Sequence, residues 1–294
     1  MSSQRWLFRF LLVGLAWGSS FLLIKWGLES LSSVGVAFGR QLVGAVTLLA
    51  MAAVSRTRLP IGRAHWRHIA VVAFLLNAFP SFLFAYAEQH VTSVMAGMLN
   101  ATTPLMTVLV ISLAFREQRI DRNQLLGIGV GFVGIGLVTG VLGGVGKSAW
   151  QGIGMLLLAT FCYGLAYPYA QRHLAGLGYT PTAISAVQVS FAALMLLPFA
   201  IIDGTFIAPL TTTSIGGMLV LGAFGTGFAY VWNFQVVQLA GSTVASTVTY
   251  LTPLVATALG IALLGESVHL SQIVGGLLVL ASAALVQRRI RVLR

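Results

Sequence analysis

Apolar residues in this chain come in long runs of about 20, with only a few polar residues between one run and the next. Ten runs can be marked, near 7–27, 34–54, 67–87, 91–114, 125–142, 151–171, 181–202, 214–235, 242–264 and 271–287. A helix rising 1.5 Å per residue needs about 20 residues to cross a hydrocarbon core of roughly 30 Å. None of the runs alternates apolar and polar positions as a barrel strand does, so helices must satisfy the backbone in lipid. The pattern predicts ten transmembrane helices and leaves no segment between them long enough to fold on its own.

One stretch is written twice. Residues 100–127, NATTPLMTVLVISLAFREQRIDRNQLLG, align with 249–276, TYLTPLVATALGIALLGESVHLSQIVGG, at a constant shift of 149. Thr103/Thr252, Pro104/Pro253, Leu105/Leu254, Glu117/Glu266 and Gly127/Gly276 are in register. A repeat of this length divides the chain into two halves, 1–146 and 147–294, of five helices each. Five is odd, so the second half enters the membrane from the opposite side. The expected fold is therefore all-α, two inverted five-helix repeats around a central cavity. Inverted repeats are the architecture of alternating access, with substrate held near the midplane between the halves.

Composition agrees: 57% of residues are hydrophobic and 8% charged, and mean hydropathy is +0.93. The net charge of +11 could suggest a polyanion partner, but its placement argues against nucleic acid. Arg5, Arg9, Arg56, Arg58, Arg63, Arg67, Arg116, Arg119, Arg122, Arg172, Arg288, Arg289, Arg291 and Arg294 all fall on one face if the helices alternate, against Lys147 alone on the other. The positive-inside rule then puts both termini in the cytoplasm, with anionic lipid as the counter-charge. Arginine outnumbers lysine 15 to 2, which suggests a bacterium of high-GC genome and hence its cytoplasmic (inner) membrane. The first thirty residues are expected to be a retained span and not a cleaved signal, because AWGSSF at 16–21 resembles CYGLAY at 162–167, pairing Trp17 with Tyr163 and Gly18 with Gly164. Cys162, in an apolar run, supports neither a disulfide framework nor a metal site. The GGVGKS at 143–148 is not a phosphate loop, since Val141 stands where that motif needs glycine.

The polar residues inside the runs carry the chemistry. Arg40 and Gln41 lie below the end of the second helix; Arg40 either snorkels to headgroups or faces the bundle as a functional group. Lys25 reads as an interfacial snorkeller. Asn77, Ser81 and Glu88 share a face of the third helix, and Thr226, Tyr230 and Asn233 answer them in the eighth. These stripes could be interhelical hydrogen bonding, but their repetition favours a shared cavity. In the fourth and ninth helices Pro104 and Pro253 cannot donate to the carbonyls of Asn100 and Thr249, which are expected to be freed at membrane depth unless the prolines only shape the bundle. Gly127/Gly131 and Gly136/Gly140 make the fifth helix a close-packing element, as Gly275 and Gly276 do the tenth.

The expected substrate-binding residues are Trp17, Arg40, Gln41, Asn77, Ser81, Asn100, Thr103, Tyr163, Tyr167, Gln188, Tyr230, Asn233, Thr249 and Tyr250, with Pro104, Pro253 and Glu88 as kink or gate positions. Such a wall suits a neutral or zwitterionic organic solute; a polyphosphorylated sugar nucleotide would need more Arg and Lys. Acids and histidines fall at helix ends or in loops, so neither an intramembrane enzyme nor obligatory proton coupling is expected, and facilitated flux is. No cofactor or metal is implied, a channel is the weaker alternative, and a monomer suffices.

The chain resembles the EamA family of the drug/metabolite transporter superfamily. The residues carrying this are WGSSFLLIKWG at 17–27, FGRQLVGA at 38–45, MAGMLNATTPLMTVLVISLAFREQ at 95–118, its counterpart ASTVTYLTPLVATALGIALLGESV at 245–268, and the glycine-rich fifth and tenth helices. The resemblance spans the whole chain and implies ten helices, an inverted five-plus-five repeat, a cavity walled mainly by helices other than the fifth and tenth, and export of metabolites. Within the family it looks most like the YddG type, which implies aromatic and neutral amino acids as substrates; drugs, nucleosides and sugars are the alternatives on the same fold. Phe115-Arg116 before Glu117 departs from the usual Leu-Gly, seen here at Leu264-Gly265.

Overall fold

The computed structural model describes residues 2–59, 62–112, 121–140, 147–174 and 177–287. Glu117 with its neighbours Phe115, Arg116 and Arg119, the loop 141–146 and the arginines beyond 287 lie outside the described residues. Among the described residues nine helices are long and apolar enough to cross a membrane. They are α1 (Trp6–Leu28), α2 (Ser33–Val54), α3 (His65–Ala87), α4 (Ser93–Val110), α5 (Arg122–Thr139), α6 (Ala149–Leu174), α7 (Pro181–Asp203), α8 (Thr212–Val236) and α9 (Thr247–Leu264). A further apolar helix, α10 (Leu270–Val286), is shorter. Each of the ten predicted runs overlaps one of these helices.

Helix starts are marked by side chains that meet otherwise unpaired backbone donors. Ser32, Thr92, Asp121, Thr180 and Thr211 each accept from the N–H three residues on, caps worth about 0.5–2 kcal/mol apiece. Beyond α9, Gly265 takes φ +63°, a left-handed conformation that stops the helix at little cost only for glycine.

Among the described residues α1 is broken at Ser19, and four other helices are irregular in matched pairs. α3 contains a π-helical turn at Ala73–Ala78 and α8 one at Ala223–Phe228. α4 is interrupted between Asn100 and Thr103, where it restarts with Pro104 in its first turn. α9 opens as a 3-10 turn, Ser246–Tyr250, before the regular helix Leu251–Leu264. The Asn100 carbonyl accepts from Thr103 Oγ1 at 2.8 Å and the Thr249 carbonyl from Thr252 Oγ1 at 2.9 Å. The carbonyls expected to be free are thus already met by a hydroxyl three residues on, each keeping a second lone pair. The expected break between the eighth and ninth runs is also absent: the helix continues to Ala245. No proline lies between 236 and 245 to stop it, and only the 3-10 turn ahead of Pro253 does.

The packing exchanges under a swap of halves. α3 packs on α6 while α8 packs on α1; α4 packs on α6 while α9 packs on α1; α2 packs on α8 while α7 packs on α3. The pairs α2/α7, α4/α9 and α5/α10 map onto themselves. At the α5/α10 contact a Cβ on Gly275 would come within 2.6 Å of the Val138 nitrogen and 2.7 Å of the Gly134 oxygen. Ser282 Oγ donates to the Gly127 carbonyl at 2.7 Å. Gly127 and Gly131 are in this contact as expected, but Gly136 and Gly140 meet nothing within 4 Å, and Gly134 takes their place.

Candidate functional site

Eleven of the fourteen residues expected at the site, nine from the first six helices and two from α8 and α9, converge on one central cavity. It is narrow, with about 100 Å³ open to the centres of water-sized molecules, inside about 810 Å³ of atom-free space that takes in the solvent at its mouth. Its wall is Trp17, Ser20, Phe21 and Ile24 from α1; Arg40 and Gln41 from α2; Leu76, Asn77, Ser81 and Phe84 from α3; Asn100 and Thr103 from α4; Tyr163 and Tyr167 from α6; Thr226 and Tyr230 from α8; Thr249 and Thr252 from α9. Among the described residues α5, α7 and α10 contribute none.

The two π-helical turns deliver its polar floor. Asn77 lies in one and Thr226 in the other; a wide turn packs in an extra residue and shifts the face that follows, an irregularity common at functional sites. Asn77 Nδ2 donates to the Tyr230 hydroxyl at 3.0 Å, and Arg40 Nε donates to Thr226 Oγ1 at 3.0 Å. Gln188 Nε2 donates to Asn77 Oδ1 from behind, and Gln41 Nε2 donates to Ser81 Oγ at 2.7 Å. Every one of these bonds joins two helices, so the network sets the spacing of the cavity walls as well as their polarity. Aromatic rings cover another side: Tyr163 stacks with Phe84 at 6.0 Å between centroids and meets Tyr167 at 6.4 Å.

The end of the bundle opposite the N-terminus is crossed by polar contacts between helices and loops. Lys25 Nζ donates to the carbonyls of Glu88 and Val91, the latter at 2.8 Å. Glu266, beyond α9, accepts from the backbone N–H of Ser93 and Val94 at 2.8 and 3.0 Å and from Ser93 Oγ at 3.1 Å. The loops after α1 and α7 join across the same end through Ser32 N to the Thr205 carbonyl and Ile207 N to the Ser30 carbonyl, both 3.0 Å.

Several expected positions differ. Gln188 stands behind the wall, as the partner of Asn77; Asn233 and Tyr250 are not among the lining residues, and Tyr250 donates to Gln287 Oε1 at 3.0 Å. Lys25 is not a snorkeller, because loop carbonyls bring its ammonium inward. Glu88 follows the end of α3 as expected, yet it is 0% exposed and neither carboxylate oxygen has a hydrogen-bond partner among the described residues. Burial pushes its carboxyl well above the usual range, with Lys25 pulling the other way. Thr226 lines the cavity as its place in the polar stripe of the eighth run suggested, while lining residues not anticipated include Ser20, Phe21, Ile24, Phe84 and Thr252. Their signal was helical spacing: Ser20, Phe21 and Ile24 follow Trp17 by three, four and seven residues, Phe84 follows Ser81 by three, and Thr252 is the repeat partner of Thr103.

The chain matches the family described as EamA-like transporters twice, over residues 4–140 and 150–288. It is 28% identical over 93% of its length, and 90% of the relative's, to a "Probable terminal-alkyne amino-acid exporter" of Streptantibioticus cattleyicolor. It is 24% identical to the "Uncharacterized transporter YoaV" of Bacillus subtilis, covering 91% of each chain. It is 27% identical to the "Uncharacterized inner membrane transporter YedA" of Escherichia coli K12, over 85% of this chain and 80% of that one. A solved crystal structure shares the fold, with a TM-score of 0.67 over 98% of this chain and 99% of the other at 17% identity.

Proposed function

The chain belongs to the EamA-like transporter family of the drug/metabolite transporter superfamily, and from that premise we propose that it exports neutral and aromatic amino acids, or metabolites much like them. It is a membrane transporter and a multi-pass inner-membrane protein. The finer reading is alternating access by two inverted halves, 1–146 and 147–294, of five crossing helices each, with both termini cytoplasmic. Substrate is held by Trp17, Arg40, Gln41, Asn77, Ser81, Asn100, Thr103, Tyr163, Tyr167, Tyr230 and Thr249, while Gln188 braces Asn77 from outside the cavity.

One observation carries this reading: a central cavity between the halves whose wall is at once aromatic and hydrogen-bonding and, among the described residues, bears a single formal charge. Amides and hydroxyls can meet the polar end of an amino acid while Tyr163, Phe84 and Trp17 pack its side chain. The exchange of helix contacts between halves supports the two-fold arrangement that alternating access requires. The amino-acid exporter among the relatives supports the substrate class. The polar ties at the end opposite the N-terminus, together with the arginine bias, support a cavity sealed toward the outside.

Energy coupling is read as facilitated. Among the described residues no acid lines the cavity, and Glu88 stands outside its wall. Purified protein in liposomes loaded with labelled leucine and phenylalanine tests both points: saturable efflux that is the same with and without an imposed pH gradient is expected. Efflux that follows the gradient would replace facilitated flux with proton coupling, and no efflux of either amino acid would reopen the substrate class.

A further inference from the structure

Among the described residues Arg40 is the one formally charged residue on the cavity wall. It is half-buried in the middle of a membrane protein, a position costing several kcal/mol unless the charge does something there. Its Nε is committed to Thr226 Oγ1 across the interface between α2 and α8. A guanidinium has further N–H donors on its two terminal nitrogens, in a fork that matches a carboxylate. Among the described residues no carboxylate pairs with it. The acid that feels its field, Glu88, stands outside the cavity wall and is fully buried, which favours its neutral form.

A purely structural arginine would be expected to end on a carboxylate or on several carbonyls. Arg40 instead ends on one neutral hydroxyl that fixes its direction. Thr226 itself is held by the π-helical turn of α8, so the anchor is oriented by the same irregularity that shapes the cavity. The remaining wall is neutral: Trp17, Asn77, Asn100, Tyr163, Tyr230 and Thr249 offer dipoles and aromatic faces. One positive charge in a low-dielectric cavity selects one negative charge and repels a net cation.

We propose that Arg40, oriented by Thr226, anchors the carboxylate of the transported molecule, so that a free carboxylate is an obligatory feature of the substrate and the amino group is not. This deepens the amino-acid reading and rests on the same cavity. It excludes amines, esters, amides and neutral sugars as good substrates, and also polyanions, for which a single arginine is too little charge.

The test is a binding panel on the purified full-length protein in detergent, read as the shift of thermal unfolding midpoint. The panel pairs four compounds on each of two side chains: phenylalanine, 3-phenylpropionate, phenylalaninamide and phenethylamine, and the corresponding leucine, 4-methylvalerate, leucinamide and isoamylamine. Both carboxylate-bearing members of a set should stabilise, at concentrations about tenfold or more below those needed for the amide and the amine. R40Q should abolish that difference, and T226V should weaken it. If R40Q does not survive purification, R40K replaces it, since it keeps the charge but loses the planar fork, and it should reduce the preference. Acid and amide acting equally on the wild type, no stabilisation by any carboxylate, or a preference unchanged in these Arg40 variants would each overturn the anchor. Labelled-amino-acid efflux separates the two ideas. A carboxylate preference without efflux removes amino-acid export and keeps the anchor, whereas efflux without the preference removes the anchor and keeps export.

Discussion

Glu266, just past α9, caps the first turn of α4 by accepting from the Ser93 backbone N–H at 2.8 Å, with Ser93 Oγ and Val94 N–H as further donors. Its side chain bridges helices from the two halves at the end of the bundle opposite the N-terminus. A carboxylate at a helix N-terminus meets both the unpaired N–H groups and the positive end of the dipole. Gly260 closes this contact from α9, since a Cβ there would meet Glu266 Oε2 and Ser93 Oγ at 2.9 Å.

Removing this tie should open the outer end. A cap of this kind contributes about 0.5–2 kcal/mol, so E266A should raise the rate at which an external, membrane-impermeant thiol reagent reaches a cysteine placed at Ser20, with Cys162 replaced, by roughly 2- to 30-fold. An unchanged labelling rate would show that the clasp does not hold that end closed.

Glu88 should make the same closure pH-dependent. Burial raises its carboxyl above the ordinary range in the closed state, whereas an opened, hydrated end returns it toward normal. The closed state therefore binds the proton more tightly: its stability is fully present below the ordinary carboxylate range and falls as pH rises through the raised value. Labelling of the Ser20 cysteine, divided at each pH by the rate of a free thiol so that thiolate formation cancels, should quicken as pH rises in the wild type. It should be flat in E88Q, which carries a permanently neutral group, and a pH profile that survives E88Q would assign the effect elsewhere.

The cavity network should divide into structural and functional parts. N77A leaves the buried Gln188 amide unpaired, and should cost about 1–3 kcal/mol of stability, whereas Y230F, which loses one bond, should cost about 0.5–1.5 kcal/mol. Thermal unfolding in detergent checks both. N100A, T249A and Y163A should instead impair transport without loss of membrane insertion. The kink carbonyls beside Asn100 and Thr249 are satisfied by Thr103 and Thr252, so the side chains can be removed without undoing the bends. Wild-type flux in all three variants would remove these residues from the site.

Much of this was legible in the chain and some was not, for identifiable reasons. The helices follow from apolar runs as long as the bilayer is thick, and the pairing of halves from Thr103-Pro104 and Thr252-Pro253. Trp17, Asn77, Asn100, Tyr163 and Tyr230 share the cavity because repeat-related polar residues inside apolar helices must face one another. The π-helical turns at Asn77 and Thr226 leave no periodic trace, since a wide turn changes the register by about one residue only locally. The ties made by Lys25 and Glu266 join positions 63 and 173 residues apart. Local pattern cannot anticipate that, and charges at helix ends read by default as exposed. Gln188 and Asn233 look alike as polar residues in spans, and only packing decides which one backs Asn77.

The glycine contact of α5 and α10 offers a contrast within one helix pair. G275V places methyl groups against the backbone of Gly134 and Val138, and overpacking of this sort costs typically about 1–3 kcal/mol, so yield and unfolding temperature should both drop. G136V meets open space and should behave as wild type. Equal behaviour of the two variants would contradict the packing role.

The central claim is that the cavity is a site reached alternately from the two sides, and exchange tests it most directly. Liposomes containing purified protein and loaded with labelled phenylalanine should release it saturably, and faster when unlabelled phenylalanine is present outside. A loaded carrier returns more readily than an empty one, and that acceleration is the predicted result. Release that rises linearly with concentration and is indifferent to amino acid on the far side would contradict it and describe a pore.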